Sequence, residues 1–221
     1  MGFDQEWLVR ALTIWIPLVL SLSVHEWAHA RAAWQLGDDT AAVMGRMTLN
    51  PFVHIDPVGT VLLPLLGVPF GWAKPVPINP LRFRRNVTMK KGMMLTAAAG
   101  PASNLVLAAG SILVLALLTR FRPDLVAPGS RAERLLDLLI FMNVVLAVFN
   151  MLPIPPLDGS RVADALMPRR LRPAWERFCQ LGPLALAAVI ILPLLMGVHL
   201  FAWALQATYH VREAVVRLLG G

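Results

Sequence analysis

The sequence predicts an all-α integral membrane protein of about four transmembrane helices, with a re-entrant apolar segment and a short strand-like loop region at 58–80. Three observations predict it. Of the 221 residues, 57% are hydrophobic and 15% charged, where a soluble domain carries roughly 25% charge. The mean hydropathy is +0.64. The apolar residues are blocked into runs rather than interleaved: 92–119 and 138–157 carry no charge, and 178–211 contains only two histidines. The basic residues behind a net charge of +7 sit in short clusters between those runs, "RFRR" at 82–85, "KK" at 90–91 and "PRRLRP" at 168–173. They read as juxtamembrane anchors facing anionic lipid heads. Nucleic-acid binding needs a soluble basic face, so the expected surroundings are a lipid bilayer and no nucleic acid.

Helix one is expected from Trp7 to Leu36, ending at "GDD". Pro17 lies inside it, which neighbouring helices accommodate in a membrane. Asp4 and Glu6 ahead of Arg10 deny this segment the basic start of a secretory signal. The stretch "TAAVMGRMTLNPFVHIDP" mixes strand-like and turn-like pieces, and "VGTVLLPLLGVPFGW" is apolar but short and broken by Gly and Pro. "AKPVPINPLRFRRN" is proline-rich and hence extended. Three further long helices are expected at 91–119, 134–152 and 178–208. The connector "RFRPDLVAPGSRAER" is too small to fold alone, so residues 1–221 read as a single domain. Cys179 stands alone, which rules out an internal disulfide or a thiolate zinc site.

The 58–72 segment is expected to dip and return, because only then does helix one end on the face where helix three ends. Under that topology one face collects twelve Lys/Arg and the other seven, and the richer face is the cytoplasmic one. The expected location is a cell membrane, crossed several times.

Within helix one, "HEWAH" at 25–29 places two histidines and a glutamate directly after fourteen uncharged residues. Ionisable groups at such depth are costly and usually functional. On a helix, positions i and i+4 share one face, so His25 and His29 can ligate one ion while Glu26 reaches the water it activates. A catalytic zinc takes three protein ligands and keeps a fourth position open. The candidates for the third are Asp158, His199, His54 and Asp56. Asp158 is favoured, since it follows an uncharged run in "NMLPIPPLDGSR", where prolines stop the helix and Gly159 permits an unusual backbone. Two histidines and a carboxylate also suit iron, but that reading leaves Glu26 idle, whereas hydrolysis uses it as general base.

With "HEWAH" early, "AAAGPASN" in the middle and "FNMLPIPPLDGSR" late, the chain resembles the site-2 proteases, the intramembrane zinc metalloproteases. "FGWAKPVPINP" is similar to the small prokaryotic branch without a PDZ domain. The resemblance implies one Zn2+ per chain on His25, His29 and Asp158, with Glu26 as the catalytic carboxylate. It also implies a metal nearer the cytoplasmic side and single-span membrane proteins as substrates. Asn104, Asn150, Pro153 and Pro155 are then expected to meet substrate, with Lys74 touching substrate or a lipid head. No regulatory module is expected in the chain, so gating and substrate choice are expected from its loops, a regulatory membrane partner, or prior cutting by another protease. The alternative from another class is a membrane metal-ion transporter using the same His/Asp ligands. Such a carrier has no need of Glu26 and more often shows paired halves with broken helices.

Overall fold

The computed structural model describes residues 5–63, 71–197 and 202–220, and for 5–11, 194, 204, 219 and 220 the backbone alone. Every regular element among the described residues is helical. Helix α1 runs Gln5–Gln35 and α2 is a single turn, Thr40–Val43. Short turns follow at Pro51–Val53, Pro57–Leu62 and Pro80–Arg82. Then come α3 (Met89–Phe121), α4 (Arg131–Asn150), α5 (Asp158–Leu166), α6 (Arg172–Gln180), α7 (Gly182–Leu195) and α8 (Ala202–Gly220).

Local chemistry sets these boundaries. Asn50, Asp56 and Asn79 each precede a proline, and each side chain accepts a backbone N–H of the turn that the proline starts. Thr88 caps α3 by accepting from Lys91 N. Ser130 accepts from Glu133 N to cap α4, while Glu133 accepts from Gly129 N, a near relative of the reciprocal capping box. The Pro155–Pro156 peptide ahead of α5 is cis.

Helices α1, α3 and α4 pack on one another, α5 lies against α3, and α8 covers α3 and α4. Ile112, Leu115, Val126 and Ile140 form the core between α3 and α4. Arg212 ties α8 to α4 through Glu133 at 3.1 Å and Asp137 at 2.7 Å.

Among the described residues one helix is long and apolar enough to cross a bilayer, the 33-residue α3, which contains an 18-residue stretch of mean hydropathy 2.0. A second qualifies if α6 and α7 count together across a 65° bend. The expected fourth helix at 178–208 is thus a correction: α6 ends at Gln180, and Gly182 and Pro183 start α7 anew, where a proline in the first turn forgoes no helical hydrogen bond. Gly197, with φ +65°, ends it. In α4, Arg131, Glu133, Arg134 and Asp137 occupy the first two turns and shorten its apolar length. In α1 the uncharged run stops at His25.

The strand-like region at 58–80 is likewise corrected. Its described part holds a π-helical turn, Pro57–Leu62, and an extended strap over 71–79 that belongs to no sheet. Prolines 75, 77 and 80 remove the donors that a ladder requires. The re-entrant expectation falls largely on 64–70, outside the described residues. The two ends of that stretch nevertheless meet, since Thr60 Oγ1 donates to the Trp72 carbonyl at 2.7 Å. Gly59 lies flat beneath the Trp72 ring.

Candidate metal centre

The centre is built where α1, α3 and α5 converge. His25 and His29 sit one turn apart on α1, buried, with their Nε2 atoms 3.0 Å apart. Asp158 is the first residue of α5, and its Oδ2 lies 3.2 Å from each Nε2. The aspartate does not cap its helix in the usual way; its carboxylate points at the imidazoles. Gly159 is helical, and its role is close approach: a Cβ there would fall on the Met151 and Leu152 carbonyls. Its absence lets α5 start directly against the end of α4.

Proton positions follow from the partners of the other ring nitrogens. His29 Nδ1 lies 2.7 Å from the Thr96 carbonyl oxygen, which can only accept, so Nδ1 carries the proton. His25 Nδ1 lies 2.6 Å from Asn104 Oδ1. The orientation of that amide is fixed because Nδ2 donates to Asn143 Oδ1 at 2.7 Å and to the Ser21 carbonyl at 3.4 Å. In its neutral form each ring, with its proton on Nδ1, turns a bare Nε2 lone pair toward the carboxylate. Asp158 Oδ2 makes no hydrogen bond. Three electron-rich atoms thus converge with no proton between them, an arrangement that repels itself unless a cation fills it.

The geometry suits such a cation. A tetrahedral zinc with bonds of about 2.0–2.1 Å sets its ligand atoms about 3.3 Å apart. The three edges here are 3.0, 3.2 and 3.2 Å. This is the one group of metal-ligating side chains among the described residues. Gly100 completes the cradle, since a Cβ there would fall on His29 Nε2 and lie 2.7 Å from His25 Cε1.

Glu26 is buried beside the triangle and accepts a 2.8 Å hydrogen bond from Val76 N of the strap. The structure therefore brings together His25, Glu26, His29, Asp158 and Asn104. Asn104 lies behind His25, fully buried, with both ends of its amide engaged. Asn150 spends its Nδ2 on the Leu146 carbonyl of its own helix. Pro153 is exposed in the loop leading to Asp158, and Pro155 packs on Gly182. Lys74 is exposed on the strap, two residues before Val76. His54 and Asp56 are remote turn residues, and His199 lies outside the described residues. A recess of about 300 Å³ between α3, α5 and α6, lined by Met93, Arg161 and Trp175 among others, contains no member of the triangle.

Sequence reasoning did not find Thr96, Gly100, Ser21 or Val76. The first two carried a signal, because Thr96, Gly100 and Asn104 are spaced by four and line one stripe of α3.

Comparison with known proteins decides the family. The chain is 38% identical to "Putative zinc metalloprotease YwhC" of Bacillus subtilis (strain 168), over 81% of this chain and 80% of that one. The chain belongs to peptidase family M50. The model of that family matches residues 124–194. "Putative zinc metalloprotease Rip2" of Mycobacterium tuberculosis (strain H37Rv) is 31% identical over 86% of this chain and 69% of its own. Its namesake in Mycolicibacterium smegmatis is 30% identical over 80% and 66%. No solved structure matches. The protein is thus a peptidase of the M50, or site-2 protease, family, and the relatives it matches carry names of zinc metalloproteases. The segment matched by the family model contains Asp158 and the whole of α5.

Proposed function

We propose that this M50 peptidase is an intramembrane endopeptidase that hydrolyses peptide bonds within or near the transmembrane segments of single-span membrane proteins. His25, His29 and Asp158 hold one Zn2+, and Glu26 is the general base. The observation that carries this reading is the buried triangle of two bare imidazole nitrogens and a carboxylate oxygen, with Glu26 beside it.

Zinc in that triangle supplies Lewis acidity, bringing the pKa of water toward about 7 and polarising a carbonyl. The chain's own residues do the rest. Glu26 accepts the proton of the attacking water and returns it to the leaving amine. One carboxylate oxygen is fixed by Val76 N–H, and Oε1, with no hydrogen bond among the described residues, is left for the proton. Asn104 and Thr96 hold the imidazoles with Nε2 forward. The packing of α1, α3 and α5 keeps bulk water from the site.

A substrate helix hides its carbonyls in i to i−4 bonds and must be unwound before cleavage. The extended strap at 71–79 passes Glu26 at Val76, and an unwound segment would lie alongside it, with exposed Lys74 close by. Pro153 and Pro155, together with Asn150, line the approach from the α4–α5 loop. Asn104 acts from behind His25. The twelve-to-seven charge tally supports a site nearer the cytoplasmic face.

The test is a substitution series with two readouts: cleavage of co-expressed single-span proteins and metal content of the purified chain. Glu26→Gln abolishes cleavage and keeps the metal. His25→Ala and Asp158→Ala lose both. Metal flux into vesicles that survives Glu26→Gln, with no cleavage by the wild type, replaces the protease reading with transport.

A further inference from the structure

Arg46 is a buried arginine that faces no carboxylate. It follows α2, is 9% exposed, and makes no ion pair among the described residues. Its Nη2 donates to the Lys74 carbonyl at 2.7 Å and to the Pro75 carbonyl at 3.3 Å, while Nε has no partner. A buried cation without a counter-ion is expensive. What the side chain grips is therefore informative: two consecutive carbonyls of the strap, directly ahead of the residue that touches Glu26.

The strap sequence explains why one amide matters. In "KPVPIN" Pro75 and Pro77 have no N–H, so Val76 carries the lone backbone donor of residues 75–77. That donor is the one on Glu26 Oε2. Neighbouring contacts fix the strap elsewhere: Lys74 N donates to the His54 carbonyl at 2.9 Å, and Asn79 N donates to Asp38 Oδ2 at 2.6 Å. The Val76 side chain packs with Ala30 and Ala41. Between those anchors, the peptide units at 74 and 75 take their orientation from Arg46. One guanidinium nitrogen, Nη2, serves both adjacent carbonyls through its two N–H bonds.

We infer that Arg46 is a positioning residue for hydrolysis: by holding the Lys74 and Pro75 carbonyls it keeps the Val76 N–H on one oxygen of Glu26, leaving the other to handle the proton. This rests on Glu26 being the general base. Arg46 touches neither substrate nor metal. Its effect belongs in kcat, since a misplacement of about 1 Å near the chemistry costs about 100-fold in rate.

The test is a double-mutant cycle on the full-length chain in detergent. The substrate is a single-span protein that the wild type has been found to cut, and metal content is measured alongside. Arg46→Met lowers kcat about 10–100-fold with KM within about twofold and metal retained. Val76→Pro, which deletes the donor and also changes the side chain packed on Ala30 and Ala41, does the same. The double variant is no worse than the poorer single, because both act through one hydrogen bond. Arg46→Lys recovers part of the loss. Hydrogen exchange gives a readout independent of activity: the Val76 amide loses protection by about tenfold or more in Arg46→Met. Effects that multiply in the double variant, a loss confined to KM, or an unchanged Val76 amide each overturn the inference. If Arg46→Met does not accumulate, Arg46→Gln takes its place and the exchange measurement decides. Cleavage that survives Glu26→Gln sinks the underlying reading instead, so the two failures are distinguishable.

Discussion

Replacing Gly100 by alanine isolates the metal cradle from everything else that α3 does. A Cβ at this position would lie 2.7 Å from His25 Cε1 and fall on His29 Nε2. Non-bonded carbons settle at about 3.5–4.0 Å, so the rings must retreat by about 1 Å. Metal sites hold their ligand distances to about 0.2 Å, and the shift is therefore about five times what the centre tolerates. The retreat has nowhere to go, because His29 Nδ1 is fixed on Thr96 and His25 Nδ1 on Asn104. The expected outcome is a metal affinity lowered by at least about 100-fold, at the upper end of losses from disturbed ligand support, with cleavage lost alongside. The control is Gly110→Ala on the same helix, where a Cβ meets nothing within 4 Å. Both changes bring the same helix-propensity gain of about 0.5–1 kcal/mol, so a general effect of alanine cancels in the comparison. Affinity is read by competition with a chromophoric chelator in detergent. A Gly100→Ala chain that keeps stoichiometric metal and wild-type cleavage refutes the placement of the ion against α3.

Two further outcomes follow from the same geometry. Asn104→Leu removes the acceptor that sets the His25 tautomer, and metal affinity drops about 10–100-fold; Asn104→Asp restores an acceptor and recovers part of it, whereas equal loss in both variants contradicts the tautomer argument. Chelation lowers the apparent melting temperature of the wild type, because an ion at 100 times its dissociation constant contributes about 2.7 kcal/mol, and leaves Asp158→Ala unmoved; a wild type indifferent to chelator contradicts a resident ion.

How much of this was legible in the sequence differs between fold and site, for physical reasons. The i, i+4 histidines and the aspartate after the proline run could be read because each announces itself locally, by periodicity or by a helix stop. The Asx–Pro turns at 50, 56 and 79 were equally local signals. The single long helix expected over 178–208 failed because hydropathy does not register direction: "LGP" at 181–183 changes the axis by 65° without adding one charge. The strand-like reading of 58–80 failed for a related reason. An extended, β-branched composition specifies backbone dihedrals, but a sheet also needs donors and a partner edge, and Pro75, Pro77 and Pro80 leave neither. Arg46 and Val76 were invisible because their meaning depends on contacts 28 and 50 residues away.

The polar groups of α1 also explain why α3 carries "TAAAGPASN" and not a simple run of leucines. Ser21, His25 and His29 form a polar stripe on α1, and in an apolar surrounding each polar atom must find a partner. α3 answers it along one stripe: Asn104 meets His25 and the Ser21 carbonyl, the backbone carbonyl of Thr96 accepts from His29, and Gly100 leaves the gap between them open. Asn143 on α4 closes the network by donating to Ser21 Oγ at 2.9 Å. Every bond in this set points away from the face that Asp158 approaches. The two Nε2 atoms face Asp158 because both Nδ1 atoms are engaged behind them. Helix packing thus orients the imidazoles without using Nε2, and an ion held there would join α5 to the α1–α3 pair.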